Sequence, residues 1–403
     1  MTHSQPYTPA ASGPLSGIRI LDMATVLAAP FSATLCGDMG AEVIKLELPD
    51  GSDSLRTLAP VDLFWKVTNR GKKGITLDVR KPEGKALFLK LVATVDVLVE
   101  NFRTGTLDKW GLDIATLHAA NPKLIVLRLT GFGQTGPYAA RPGFARIFEA
   151  MSGFANLTGD MQSGPQHMNY PLGDVVSGLF GAFSIASAIA QRALHPQQHG
   201  VEIDLSATEA MLRLLDPLAA EYESEGVSRQ RAGNRATYTA PSNMYRTGDG
   251  AYITVVGSTA IIFRRLCNAM QRPELADDER FCSNPARMKH VDELDGIIAQ
   301  WCLAHSYAAI ANALEEHGVP FSKIYSIADV VADPHYQSRQ ALIRLPDPEH
   351  GSLPAPCIVP RMTGFEPAPP RTGPALGEHN EEILSSLGVP GNEIDRLRSA
   401  GVI

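Results

Sequence analysis

The chain has 403 residues, 44% of them hydrophobic and 20% charged, with a formal net charge of −7. This is the make-up of a soluble globular protein with two or three cores. The acidic balance excludes nucleic acid as a general partner, because backbone phosphates demand a basic surface, yet it leaves room for a small polyanion at a local basic cluster.

Residues 1–14 hold Ser, Pro and Thr without an apolar core and read as a loose tail rather than a signal peptide. Residues 18–23 read as a short buried strand, followed by a helix through Phe31, Leu35 and Met39 that stops at Gly40. Residues 41–47 form a second strand, and 75–79 a third. A helix over 82–92 leads to strands at 95–100 and 124–130. Strands alternating with helices make βαβ units and a parallel sheet. Ligands of such sheets lie beyond the carboxyl ends of the strands. Those ends carry Ala28-Ala29-Pro30, Glu47, Asn101-Phe102-Arg103 and Gly131-Phe132-Gly133.

The character changes near residue 215. Residues 218–242 are polar and read as a linker, and a smaller α+β domain over 243–330 follows, with a strand at 251–256 and helices around 259–270, 289–304 and 307–317. Residues 331–403 begin proline-rich and return to the large domain of 15–217, ending in a short helix around 381–387. No repeat of fixed period occurs. No apolar run is expected to reach membrane-spanning length, so no membrane partner is expected. Cys36, Cys267, Cys282, Cys302 and Cys357 are scattered and form no C-x-x-C pair. That pattern suits reduced thiols of a cytoplasmic protein and gives neither a disulfide framework nor a metal site.

The segment most suited to chemistry is Tyr170-Pro171-Leu172-Gly173-Asp174-Val175-Val176-Ser177-Gly178. Pro171 and Gly173 form a turn, and the small apolar residues after Asp174 suit a closely packed helix. An Asp there is either an ordinary N-cap or a nucleophile, ionised in the field of the helix N-terminus.

The chain resembles the family III coenzyme A transferases, a family that also contains the α-methylacyl-CoA racemases. The resemblance runs from Gly17 to the C-terminus. Its segments are GIRILDMATVLAAPFSATLCGDMGAEVIKLELPDGSD, NRGKKGITLDVRKPEG, DVLVENFRTGTLDKWGLD, GFGQTGPYAARPGF, the Gly173-Asp174 pair and LGEHNEEILSSLGV. It implies a Rossmann-like large domain built from both chain ends, a smaller domain between them, and an interlocked homodimer. It further implies that Asp174 is the catalytic aspartate, relaying acyl groups and CoA through anhydride and thioester intermediates without cofactor or metal. Its partners would be an acyl-CoA and a free carboxylic acid. By the same resemblance Lys72, Asn101, Phe102 and Lys109 lie near the nucleotide, and Val26 and Ala28 near the adenosine or pantetheine.

CoA phosphates need a cationic pocket, and Arg70, Lys72, Lys73, Arg103 and Lys109 offer charges close to strand ends. Each alone is equally a surface charge. Trp110 suits either adenine stacking or a half-buried core position. Gly131, Gly133 and Gly136 can admit oxyanions to the backbone or simply punctuate turns. The racemase branch has His-Asp where this chain has Phe144-Ala145, and its small-domain Glu aligns near Ala260, so CoA transfer is the expected activity and racemase or isomerase the alternative. An intact Gly173-Asp174 speaks against a non-catalytic CoA-binding protein. Glu149 stands where many relatives have Gln and is expected to support the thioester. Arg146 is expected either to grip the distal carboxylate of a short dicarboxylate or to pair with Glu149 at i,i+3. His167 is read as structural or surface.

Overall fold

A computed structural model describes residues 13–51, 53–58, 62–365, 367 and 370–403. The expected tail thus lies almost wholly outside the described residues. The chain forms two compact units. One takes the residues up to 154, 167–220 and 340–403, and the other takes 155–166 and 221–339.

The first unit is built on six strands, β1 (Arg19–Asp22), β2 (Glu42–Glu47), β3 (Lys73–Thr76), β4 (Val97–Glu100), β5 (Ile125–Thr130) and β6 (Glu202–Ser206). All pair in parallel, in the order β3-β2-β1-β4-β5-β6. Every residue of β4 and β5 is buried, as a parallel sheet covered on both faces requires. Successive side chains alternate between the faces. Leu21, Ile44, Leu98 and Val126 enter one core, while Ile20, Val43, Val97, Val99 and Leu127 enter the other.

Helices cover each face. On the second face lie α1 (Ala28–Asp38) and residues of a long helix described below. On the first lies α2 (Pro82–Val92), which opens with Pro at its first turn, where a missing N–H costs nothing. Next in the chain come α3 (Ala145–Met151) and α4 (Leu172–Leu194). Two further helices, Asn380–Ser386 and Gly391–Ser399, place Ile383, Leu384, Ile394 and Leu397 in the same core as α2. The chain's C-terminal stretch therefore completes a face begun by its N-terminal half.

Contrary to the expectation from the sequence, the chain holds one apolar helix of membrane-spanning length among the described residues. With 23 residues, α4 is long and apolar enough to cross a membrane by length and composition. It buries Val176, Ser177, Ile185 and Ala188 within this unit and runs along α1 on small residues. A Cβ at Gly178 would lie 2.8 Å from the Ala28 carbonyl oxygen, so only glycine permits that approach.

The second unit holds an antiparallel sheet of β7 (Ser242–Arg246), β8 (Tyr252–Val256) and β9 (Phe321–Lys323). The helices Ala260–Ala269, Val291–Ala304 and Tyr307–Glu316 supply Phe263, Leu266, Ile298 and Ile310 to its core. A helix, Leu218–Glu225, occupies the start of the stretch read as a linker. In the proline-rich return, β10 (Leu342–Asp347) and β11 (Gly351–Pro356) form a two-stranded ribbon.

Candidate active site

The strand order reverses between β1 and β4. The loops after these neighbouring strands run in opposite directions and open a crevice at their carboxyl ends. A cleft of about 310 Å³ occupies that place, lined by 25–28 after β1, 101–103 after β4, 129–131 at the end of β5, Ala139, 141–144, Phe148 and Asp174.

Asp174 is the third residue of α4, and Pro171 holds the cap position, so Asp174 is not an N-cap. The helix start presses on α3: a Cβ at Gly173 would sit 2.7 Å from the Ala145 carbonyl oxygen. That contact places Glu149 of α3 against the first turn. The Gly173 N–H donates to Glu149 Oε1 at 3.1 Å, and His167 Nδ1 meets Oε2 at 2.8 Å. Glu149 is 1% exposed and Asp174 8%. Burial, followed by the negative charge of Glu149, pushes the Asp174 carboxyl up to about 7. The expectation that the helix field would hold it ionised is corrected, because desolvation and a like charge outweigh a dipole contribution on the order of 1 kcal/mol.

Glu149 thus supports the turn that carries Asp174, but the expected Arg146–Glu149 pair does not form. Both Glu149 oxygens are engaged elsewhere, while Arg146 is exposed and outside the cleft lining. His167, read as structural or surface, is exposed and is the partner of Glu149.

The loop after β1 is fastened by side chains from three directions. Asn101 accepts from the Thr25 N–H at 2.8 Å and donates to the Thr25 carbonyl at 2.7 Å. Val26 has φ 65°, a left-handed conformation that costs a β-branched residue on the order of 1–3 kcal/mol. Its N–H donates to Asp53 Oδ1 at 3.0 Å. Beneath the loop, Lys45 Nζ donates to the Ala24 carbonyl and lies 3.4 Å from Asp53 Oδ2. Phe102 is set by its N–H, which donates at 2.7 Å to Glu100, a carboxyl that burial pushes up to about 7.

Of the expected CoA ligands, Val26, Ala28, Asn101, Phe102 and Arg103 line the cleft together, and Lys72 and Lys109 do not. Lys72 is enclosed, donating to Asp22 at 2.7 Å, to the Pro30 carbonyl at 2.8 Å and to Asn69 at 2.9 Å. Burial lowers its ammonium to about 8. It neutralises Asp22 beneath the loop rather than reaching into the cleft. Lys109 is exposed at the end of the short helix Thr106–Lys109. Phe144 lines the cleft and is 69% exposed. Gly133 is a turn glycine at φ 82°, beside Asp204 of β6, which accepts from the Gln134 N–H. Trp110 packs edge-on against Phe102 with centroids 5.0 Å apart and joins the core.

The residue missed from sequence is Arg141. It lines the cleft and stacks its guanidinium on Tyr138, 3.6 Å from the ring centroid. Its signal was the one used for Arg103, a cation just past a strand end, but it sits eleven residues beyond β5. Among the described residues, Asp62, Glu349 and His350 form a trio with metal-ligand spacing. Lys66 already pairs there with Asp62 at 3.8 Å and Glu349 at 2.6 Å.

The model of CoA-transferase family III matches residues 15–380. Succinyl-CoA–D-citramalate CoA-transferase of Chloroflexus aurantiacus is 40% identical over 396 residues, covering 97% of this chain and 98% of that protein. Succinate–glutarate CoA-transferase of Agrobacterium fabrum is 36% identical, covering 93% and 96%. The crystal structure of a CAIB/BAIF family protein from Brucella suis superposes with a TM-score of 0.83 at 34% identity, covering 93% of this chain and 99% of that one.

Proposed function

Since the chain belongs to CoA-transferase family III and is an enzyme of that class, we propose that it carries CoA from succinyl-CoA or a similar donor to a short dicarboxylic acid, with Asp174 as the covalent relay. The observation that carries this reading is that, among the described residues, Asp174 is the one carboxylate lining the cleft, buried at the first turn of α4. Similar proteins supply the substrate class, since the relatives above act on succinate or succinyl-CoA with citramalate or glutarate.

The ionised Asp174 attacks the thioester carbonyl and expels the CoA thiolate, leaving an acyl-aspartyl anhydride. The thiolate attacks the aspartyl carbonyl, releasing the donor acid as its carboxylate and leaving an aspartyl-CoA thioester. The acceptor carboxylate attacks that thioester, and the freed thiolate takes the acceptor acyl group from the second anhydride. Every arriving and departing group is an anion, so no net proton transfer is required. The cleft contributes proximity and a covalent relay, and burial makes Asp174 a better nucleophile than a hydrated carboxylate. Arg103 and Arg141, the two cations of its lining, suit the phosphates of CoA.

The racemase or isomerase alternative needs a second acid or base facing the substrate, and among the described residues the lining offers none besides Asp174 and these two guanidinium groups. An interlocked homodimer belongs to the same proposal. Supporting it, Leu179, Phe183 and Leu194 of α4 are 52%, 70% and 76% exposed and form an apolar face suited to burial against another chain. The test is a screen of dicarboxylic acceptors with succinyl-CoA, read by mass spectrometry of the CoA thioesters in deuterated water. New thioester without α-deuterium supports transfer. Deuterium wash-in without new thioester supports the alternative.

A further inference from the structure

We propose that Asp53 and Lys45 are positioning residues for acyl-CoA: they form a buried latch that holds Val26 in its left-handed backbone and so keeps the loop after β1 in the shape that receives the ligand. The inference rests on the CoA-transfer reading for what binds in the cleft.

Three consecutive loop residues are each tied to a side chain from another part of the fold. Ala24 is held by Asp22 Oδ1, which accepts its N–H at 3.1 Å, and by Lys45 of β2, which donates to its carbonyl. Thr25 is held by Asn101 after β4. Val26 is held by Asp53 Oδ1, which also accepts from the Leu55 N–H at 3.0 Å. Among the described residues the other Asp53 oxygen accepts no hydrogen bond, and it lies 3.4 Å from the Lys45 ammonium.

Lys45 and Asp22 are 0% exposed and Asp53 3%. Burying such ions is costly unless each is paired. The apolar cores do not call for this expense, because Val26 belongs to neither cluster of the sheet. The strained residue lies on the cleft wall beside Thr25, Leu27 and Ala28. Strain held in place by surrounding structure at a ligand wall is a mark of pre-organisation. Without the latch, Val26 would relax to an ordinary extended or helical φ and the wall would shift.

The test is a double-mutant cycle on the full chain, with succinyl-CoA as donor and glutarate as acceptor. Asp53→Asn is expected to raise KM for succinyl-CoA about tenfold with kcat changed less than about twofold, since the wall is used alike in ground and transition states. Glycine adopts positive φ freely, so in the Val26→Gly background the same Asp53→Asn change should raise KM by less than about threefold. A purely structural role for Asp53 predicts no such rescue. An unchanged KM in Asp53→Asn, or an equal rise in both backgrounds, overturns the latch.

Amide hydrogen exchange of the wild type over 23–30, with and without CoA, judges the idea should the variants not fold. Protection already present without CoA supports the latch, and protection appearing only with CoA overturns it. A wild type that binds CoA but transfers nothing from succinyl-CoA would sink the transfer reading alone, leaving the exchange result to decide the latch.

Discussion

Replacing Asp174, the proposed nucleophile, should make the protein more stable. Asp174 has its carboxyl raised from 3.8 to about 7 by burial and by Glu149. A raised acid releases its proton more readily in the unfolded chain, so its ionisation destabilises the fold as pH climbs from 3.8 to about 7. The effect is complete above that window and absent below it. About three pH units at 1.36 kcal/mol each give a destabilisation of up to about 4 kcal/mol at pH 8. Asp174→Asn removes the ionisation while keeping the side chain's shape. At roughly 2 °C per kcal/mol for a unit of this size, Tm should rise by several degrees at pH 8. The gain should fall to a little over a third at pH 5 and nearly vanish by pH 4. Scanning calorimetry of both proteins at these three pH values is the assay. An equal Tm at pH 8, or a difference independent of pH, would refute the reasoning that burial and Glu149 strain the carboxylate.

The same shift predicts that kcat/KM for succinyl-CoA falls about tenfold per pH unit below about 7. Glu149→Gln should move this limb to lower pH but only part-way, since burial is the larger cause; a limb that stays in place would remove Glu149 from the electrostatics. Arg103→Met and Arg141→Met should each raise KM for acyl-CoA, with the difference from wild type shrinking as salt is added. Arg146→Met should leave the preference for dicarboxylic acceptors intact, because Arg146 lies outside the cleft lining; loss of that preference would return Arg146 to the site.

The sheet was legible because its strands are short apolar runs between helical stretches, as at 124–130, which pairs as Ile125–Thr130. The edge strand β6 escaped notice, since Glu202 and Asp204 give it the look of a polar connection. The ribbon of β10 and β11 was hidden by prolines, which a two-stranded ribbon tolerates on its unpaired edges. At the site, Asp174 was readable from the Pro171 and Gly173 turn before a helix of small residues, and the residues following β1 and β4 from their place at strand ends. The proton affinity of Asp174 was not, because it depends on Glu149 arriving through the Gly173–Ala145 contact. Lys72 shows the converse: a cation beside a strand end looks like a phosphate ligand, and only the fold turns it inward onto Asp22.

Covalent relay at Asp174 leaves an activated carbonyl that a nucleophile can trap. Wild-type protein incubated with succinyl-CoA and hydroxylamine, then digested and analysed by mass spectrometry, should carry a hydroxamate on Asp174 and nowhere else, and Asp174→Asn should carry none. Transfer activity persisting in Asp174→Asn, or a hydroxamate on another residue, would contradict it.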